Sequence, residues 1–249
     1  MTKISRILLR SRNPKAQQKF YSETLSMPIH EDGSVGYGEQ EARLLFLPTD
    51  ASYQPSPTDL YWKIALAVPN IELACQQLIE RGVAVDPPHQ FKDIGYLAHF
   101  RDPQGFTIEL IEHWFQGNRP EEQLDNRLLG GGACLNLLTL RTVDIGAVQD
   151  TCERWGMVPL SIQPVDDYEF TLYFFAFTDD RPPNTDLYSV ENREWLYQRN
   201  YTVLEVQHLH DEEAIVCLDE NNAGYKGTVL SGAHQRLQNQ QLRIWTESA

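Results

Sequence analysis

Clusters of positive charge are missing from this sequence. Its 249 residues include 21 lysine and arginine residues against 35 aspartate and glutamate residues, a formal net charge of −14. The phosphates of nucleic acids and the headgroups of an anionic membrane both require clustered cations on a protein. We therefore expect neither nucleic acid nor a membrane as a partner.

Long apolar runs and paired cysteines are also missing. No segment approaches the roughly 20 apolar residues of a transmembrane helix. The amino-terminal MTKISRILLR lacks the long apolar region of a secretory signal. The cysteines show no CxxC spacing, which is typical of thiols in a reducing cytosol. They are Cys75, Cys134, Cys152 and Cys217. These features predict a cytoplasmic protein.

The motifs of several enzyme classes are absent as well. The sequence contains no Ser/His/Asp set, no phosphate-binding glycine loop and no Walker sequence. Its length fits one large domain or two small ones. Folding at this length buries roughly 70–75% of the unfolded surface, so neither a disulfide nor a metal is needed for stability.

A turn between two predicted strands is the most informative feature that is present. The run FRDPQGFTIEL begins at Phe100. Its segment Asp102–Gly105 is typical of a tight turn, because proline presets the first dihedral and glycine accepts a positive one. Apolar and polar residues alternate after the turn, so Glu109 leaves its strand opposite to its apolar neighbours. Such a carboxylate is a candidate metal ligand or a retained structural residue.

This run and two others resemble the vicinal oxygen chelate superfamily of glyoxalases, bleomycin-resistance proteins and extradiol dioxygenases. The others are RILLRSRNP, which starts at Arg6, and KIALAVPN, which starts at Lys63. Two later runs, FTLYFFAF from Phe170 and TVLEVQH from Thr202, resemble glyoxalase I more closely. The superfamily hosts many chemistries, so the resemblance is more specific for fold than for function.

The resemblance implies an α+β fold of repeated βαβββ modules, each about 50 residues long, which form two cup-like mixed sheets. We expect the first two copies, 4–48 and 61–113, to form one complete cup. A third copy begins at Cys134, and the fourth, 225–249, is truncated. The predicted domains are 1–115 and 133–249. The linker 116–132 is rich in glycine and has a charged middle that suggests a surface path.

The pattern also predicts individual elements. Helices are expected over 14–25, over 71–81 and after the N-cap residue Asp144. Residues 178–193 are acidic and contain two prolines, which predicts a long loop. In the truncated copy, a short helix is expected over 234–239.

The resemblance implies a metal site with four ligands: a histidine or glutamine and a glutamate from one module, then a histidine and a glutamate from a complementary module. Most of these ligands are replaced in this sequence, and Glu109 and Glu205 are the two carboxylates that remain. The implied cofactor is a divalent metal such as Zn, Ni, Mn or Fe, whereas the lost histidines favour a chain that binds none. The replaced positions hold Arg6, Leu45, Lys63, Leu137 (or Asn136 in a shifted register) and Thr228.

Lys63 lies where the resemblance places a metal-binding histidine. An ammonium is a point cation with three donors. We therefore expect Lys63 to pair with Glu109, and also with Glu205 if the second and third modules face each other. The alternative is a lysine at an exposed strand end. His208 and His210 are interpreted as exposed residues near a strand end, with a supporting role at a metal as the alternative.

Arg10 and Arg141 follow a leucine at matching positions of the first and third modules. The resemblance to glyoxalase I implies that they bind the carboxylate of glutathione, for which the planar guanidinium fork is suited. The alternative is an arginine that forms surface salt bridges. Together with Lys63 they are the predicted substrate-binding residues.

Three functions follow from the resemblance. The first is a glyoxalase I-like lyase or isomerase acting on a thiol adduct of an α-oxo aldehyde, with Glu205 or Glu109 as the base. The second is a metal-free protein of the bleomycin-resistance type that sequesters a small molecule among aromatic side chains. The third is an extradiol dioxygenase. Because the incomplete cup leaves an open sheet edge, we expect the tail to pack on the first domain or on a second chain, which would give a homodimer.

Overall fold

A computed structural model describes residues 1–120, 125–219 and 221–247, and it contains two mixed β-sheets. The strands are β1 Lys3–Ser11, β2 Arg43–Pro48, β3 Tyr61–Val68, β4 His89–Phe91, β5 Gly95–Arg101, β6 Thr107–Glu112, β7 Cys134–Thr142, β8 Val158–Val165, β9 Phe170–Ala176, β10 Val203–Leu209, β11 Gly224–Ser231, β12 Gln238–Asn239 and β13 Ile244–Thr246.

The larger sheet has eight strands in the order β4-β5-β6-β3-β7-β10-β9-β8. Its centre is the antiparallel pair β3 and β7, which joins the second repeat to the third. On either side of this pair, β6 runs parallel to β3 and β10 runs parallel to β7. The two halves of the sheet are therefore built alike, and the equivalent strands β6 and β10 flank the central pair.

The smaller sheet has five strands in the order β12-β13-β11-β1-β2. Here β1 of the first repeat pairs antiparallel with β11 of the truncated copy. The expectation that the first two repeats form one cup is therefore wrong. The first strand of each repeat pairs with a strand of another repeat, which covers an edge that would otherwise be open. Each sheet draws strands from both sides of 116–132, and the division into domains at that linker stays a prediction.

The helices are short and lie between the strands. Asn13 caps the helix that begins at Pro14, Asn70 the helix that begins at Ile71, and Asp144 the helix that begins at Ile145. Each side chain accepts a hydrogen bond from a backbone N–H in the first turn. The first helix continues as one π-helical turn, Phe20–Thr24. Within the described ranges, the five α-helices are α1 Pro14–Lys19, α2 Ile71–Glu80, α3 Leu128–Gly131, α4 Ile145–Arg154 and α5 Glu191–Tyr197.

The α+β fold with two mixed sheets is as predicted, while one local prediction is wrong and another differs at its end. The segment predicted as a long loop over 178–193 contains no helix or strand up to residue 190, and α5 begins at Glu191. The helix predicted over 234–239 is absent, and Gln238 instead pairs antiparallel with Trp245. Pairing with β13 gives the backbone of Gln238 and Asn239 hydrogen-bond partners within the sheet, and this long-range contact prevails over the local pattern there. The charged middle of the predicted linker, 121–123, lies outside the described residues.

The core extends over both sheets. Alternating residues of β3 face opposite sides, because side chains alternate along a strand. Ile64 and Leu66 join a large apolar cluster that includes residues of the smaller sheet, and Ala65 and Ala67 face a second cluster. Tyr61 of β3 stacks on Tyr225 of β11 with 5.8 Å between the ring centroids. This packing joins the two sheets across the large cluster.

The turn at Asp102 links the first repeat to the second. Its carboxylate accepts hydrogen bonds from Gln17 at 2.5 Å, from the Tyr21 hydroxyl at 3.0 Å and from the backbone N–H of Phe106 at 3.1 Å. Gly105 has φ +93°, as the turn chemistry predicts. Burial raises the pKa of Asp102 to about 6. The turn therefore has a structural role, which is to hold the first helix against the second repeat. In the described part of the chain, no helix is long and apolar enough to cross a membrane.

His113 follows β6, and burial lowers its pKa to about 4. The folded protein holds this imidazole neutral, so stability is lost as the pH falls from about 6.5 towards 4. We expect His113→Gln to lose less stability over this range than the wild type, by up to about 3 kcal/mol. Urea denaturation at about pH 7 and about pH 4.5 measures both losses, and equal losses would contradict the prediction.

Candidate functional site

A cavity of about 270 Å³ lies on the face of the larger sheet that carries Ala65 and Ala67. Both halves of the sheet contribute to it. Its wall is aliphatic and aromatic, and its polar groups are few and lie together. The aromatic residues are Trp62, Phe91, Tyr168, Phe170, Phe174 and Tyr197. An apolar concave site with a few convergent polar groups is typical of a small-molecule site.

Three charged residues meet at this cavity. Lys63 lies on β3, Glu109 on the neighbouring β6, and Glu205 on β10 of the other half. The Lys63 Nζ atom lies 2.9 Å from Glu109 Oε1 and 3.4 Å from Glu205 Oε1. Lys63 is 2% exposed. The predicted contact of Lys63 with both carboxylates is present, and the alternative of an exposed strand end is wrong.

The three groups shift one another's pKa values. Burial lowers the pKa of Lys63, but the charges of Glu109 and Glu205 outweigh burial and leave it raised. Burial raises the pKa of Glu109, but Lys63 and His99 outweigh burial and leave it lowered. For Glu205, burial and the negative charge of Glu109 prevail over Lys63 and raise the pKa. Lys63 is therefore a cation whose stronger partner is Glu109.

His99 is a site residue that the sequence interpretation missed. Its Nε2 atom lies 3.0 Å from Glu109 Oε2, and its side chain is 29% exposed. The ring borders both the cavity and a wider groove on the outside of the protein. Alternation along β5 places His99 on the same face as Leu97, and the β5–β6 register sets it beside Glu109. The sequence alone does not show this neighbour, because the register of β5 and β6 is known only once the two strands are paired.

The structure separates the two candidate arginines. Arg10 lies on β1 of the smaller sheet, between Leu47 and Gly224, and does not line the cavity. Arg141 lies on β7, and its guanidinium is 5.2 Å from the Trp62 ring, which lines the cavity.

Arg141 already has internal hydrogen-bond acceptors. Its Nε donates to Gln207 Oε1 at 2.8 Å, and its Nη1 donates to the Ser56 carbonyl at 3.1 Å. Burial lowers the pKa of Arg141 to about 10. A role of either arginine in binding a carboxylate stays a prediction.

The two candidate histidines of the third repeat lie away from the cavity. His210 is exposed, as predicted, whereas His208 is half-buried. The ring centroids are 5.2 Å apart, and His210 Nε2 is 3.1 Å from Thr171 Oγ1. Neither ring lines the cavity, so neither supports a metal at Glu205.

The donor set at the cavity does not fit a divalent metal. A protonated lysine has three donors and no lone pair, and its charge repels a metal cation from the space between the carboxylates. Within the described ranges, no group of three or more histidine, cysteine, aspartate or glutamate side chains has the arrangement of a metal site. No step through a metal is therefore derived for this site.

Comparison with known proteins finds a family match over part of the chain and supports the fold. Residues 3–110 match the family model described as Glyoxalase/Bleomycin resistance protein/Dioxygenase superfamily. Glyoxalase I from Zea mays aligns with a TM-score of 0.61 at 17% identity, covering 92% of this chain and 74% of that chain. A dioxygenase described as putative, from Bacillus subtilis, aligns with a TM-score of 0.55 at 14% identity, covering 92% and 69%. At such identities the structures share the fold alone. Comparison with curated proteins found no match.

Proposed function

We propose that this chain, whose residues 3–110 belong to the glyoxalase, bleomycin resistance protein and dioxygenase superfamily, binds a small and largely apolar molecule without a metal. The observation that carries the proposal is the Lys63 ammonium held between Glu109 and Glu205 at an aromatic cavity. The ammonium neutralises one buried carboxylate, as a metal ion would. The cavity therefore keeps a shape and a polarity suited to a ligand, without a Lewis acid to activate it.

The volume and the lining indicate the size and character of the ligand. A cavity of about 270 Å³ is close to the lower end of the range of small-molecule sites, which starts at roughly 300 Å³. Phe170 and Phe174 of β9 and Trp62 of β3 offer flat apolar surfaces. A planar bicyclic molecule with one polar substituent fits this description. The apolar ring system would contact the aromatic wall, and the substituent would reach the charged groups.

Filling the cavity tests this proposal. Leu172 lies on β9, lines the cavity and is buried. We expect Leu172→Trp to weaken the binding of naphthalen-1-ylmethanol at least about tenfold, because the indole takes the space of the ligand. Isothermal titration calorimetry on both proteins measures the two affinities.

The matched control is Ile79→Trp, which adds an indole at an exposed position of α2. Its affinity should equal that of the wild type. Failure of the wild-type protein to bind either naphthalen-1-ylmethanol or charged molecules with the same ring system would contradict the proposed function. Equal binding by Leu172→Trp would place the ligand elsewhere on the protein.

A glyoxalase I-like lyase that acts on an α-oxo aldehyde–thiol adduct is the second candidate. It is favoured by Glu205, because a carboxyl group with a raised pKa beside a cavity is suited to moving a proton. Turnover of the methylglyoxal–glutathione adduct by the wild type, lost in Glu205→Gln, would support it. An extradiol dioxygenase, a homodimer and a cytoplasmic location stay predictions.

A further inference from the structure

We propose that the ligand of this cavity carries a protonated amine, which binds Glu205 while its apolar ring system lies against the aromatic wall. The inference rests on the proposed function and names the class of molecule that the site would select: a small aromatic or polycyclic amine. It follows from the hydrogen bonding, the charge and the aromatic wall of the cavity.

Glu205 has unused hydrogen-bonding capacity. An ionised carboxylate has two oxygens with about four acceptor positions. Lys63 reaches Glu109 at 2.9 Å, but its contacts with the two oxygens of Glu205 are long, 3.4 and 3.5 Å. Hydrogen bonds of that length are weak. Glu205 is 2% exposed and lines the cavity. A donor inside the cavity would therefore satisfy a buried carboxylate that Lys63 satisfies poorly.

The charge of the cavity lining favours a cation over a neutral donor. Among the residues that the structure describes, Lys63 is the one ammonium that lines the cavity, and Glu109 and Glu205 are the two carboxylates. One ammonium therefore faces two carboxylates, and it lies closer to Glu109 than to Glu205. Burial and Glu109 raise the pKa of Glu205, which is the behaviour of a carboxylate that lacks a counter-charge. A second ammonium would supply that counter-charge.

The wall suits the same ligand. Phe170, Phe174 and Tyr168 line the cavity, and aromatic rings attract cations that lie over their faces. The protein already uses this interaction at Trp62, whose ring lies 4.7 Å from the Lys63 ammonium. An aromatic amine would therefore contact the wall through both its ring and its charge. An anionic ligand would meet Glu109 and Glu205 within the same cavity.

Three ligands with the same ring system test the inference: naphthalen-1-ylmethylamine, naphthalen-1-ylmethanol and 1-naphthoate. At neutral pH they present a cation, a neutral hydroxyl and an anion. By calorimetry we expect the amine to bind wild-type protein at least about tenfold more tightly than the alcohol, and the alcohol more tightly than the carboxylate, because hydrogen bonds to charged groups are the stronger ones. Glu205→Gln should bring the amine to within about threefold of the alcohol, since the amide has the same size without the charge.

The outcomes separate this inference from the proposed function. Equal binding of the amine and the alcohol by the wild type would overturn the inference and leave the proposed function standing. Tightest binding of the carboxylate would also overturn it, and would assign ligand recognition to Lys63. No binding of any of the three would contradict the proposed function itself. The wild-type ranking decides the inference even if Glu205→Gln fails to fold, and circular dichroism identifies that case.

Discussion

Replacing Lys63 by methionine is expected to destabilise the protein by about 3–5 kcal/mol, because it leaves two buried carboxylates without their counter-charge. Lys63 is fully buried, and Glu109 and Glu205 are 4% and 2% exposed. Removing one member of a buried charged cluster costs far more than the cluster contributes as a whole, since the desolvated charges remain. Urea denaturation at neutral pH measures the change.

The pH dependence of the Lys63→Met variant provides an internal check. Without the ammonium, the folded-state pKa values of Glu109 and Glu205 should both lie above their unfolded values. Carboxyl groups with raised pKa values bind protons in the folded state, so stability is lost as the pH rises through those values. The deficit of the variant against the wild type should therefore shrink as the pH falls towards 5. A deficit that grows on acidification would contradict this account.

Two further variants separate the buried cluster from a general effect of losing a lysine. The triple variant Lys63→Met, Glu109→Gln, Glu205→Gln removes all three charges and should recover most of the lost stability. Lys19→Met removes an exposed lysine whose salt bridge to Glu23 is 3.8 Å long. An exposed pair of this kind contributes about 0–1 kcal/mol. Wild-type stability of the single variant Lys63→Met would show that the carboxylates are not charged in the fold.

Replacing Lys63 by histidine is expected to create a metal site. A neutral imidazole has a lone pair where the ammonium has a charge, so Glu109, Glu205 and the new histidine would form a set of two oxygens and one nitrogen. His99 lies beside Glu109 and can orient that carboxylate, in the manner of groups that surround metal ligands. We expect about one equivalent of Zn²⁺ or Ni²⁺ per chain in the variant, and far less in the wild type.

Metal content is measured by mass spectrometry on tag-free protein that has been dialysed against each metal. Lys19→His is the control for an imidazole added to an exposed surface, and Lys63→His with Glu109→Gln should lose most of the gained binding. A variant that stays as free of metal as the wild type would show that the two carboxylates cannot converge on one ion. Stoichiometric metal in the wild-type protein would contradict both the Lys63 account and the proposed function.

These predictions depend on the contacts among Lys63, Glu109 and Glu205, of which the sequence predicted only some. Glu109 was identified from alternation after a turn, which is a local property of one strand. The contact of Glu109 with Lys63 was expected from the resemblance. In the structure, it is made possible by β3 and β6, which lie side by side and parallel. Glu205 lies 96 residues further along the chain than Glu109, on a strand of the other half of the sheet. Whether the two carboxylates meet depends on the pairing of β3 with β7, which local periodicity does not encode.

The sequence by itself determined the repeated α+β modules and the replacement of the metal-binding histidines through its resemblance to a known family. It determined the turn at Asp102, the side of the strand on which Glu109 lies and the N-cap Asp144 through local patterns, because side-chain alternation, capping residues and turn chemistry act over a few residues. Tertiary structure alone decided that the second repeat joins the third, that Arg10 lies away from the cavity, and that His99 borders Glu109. Those outcomes depend on which strands pair with each other, and the free energy of the whole fold, rather than local sequence, determines that pairing.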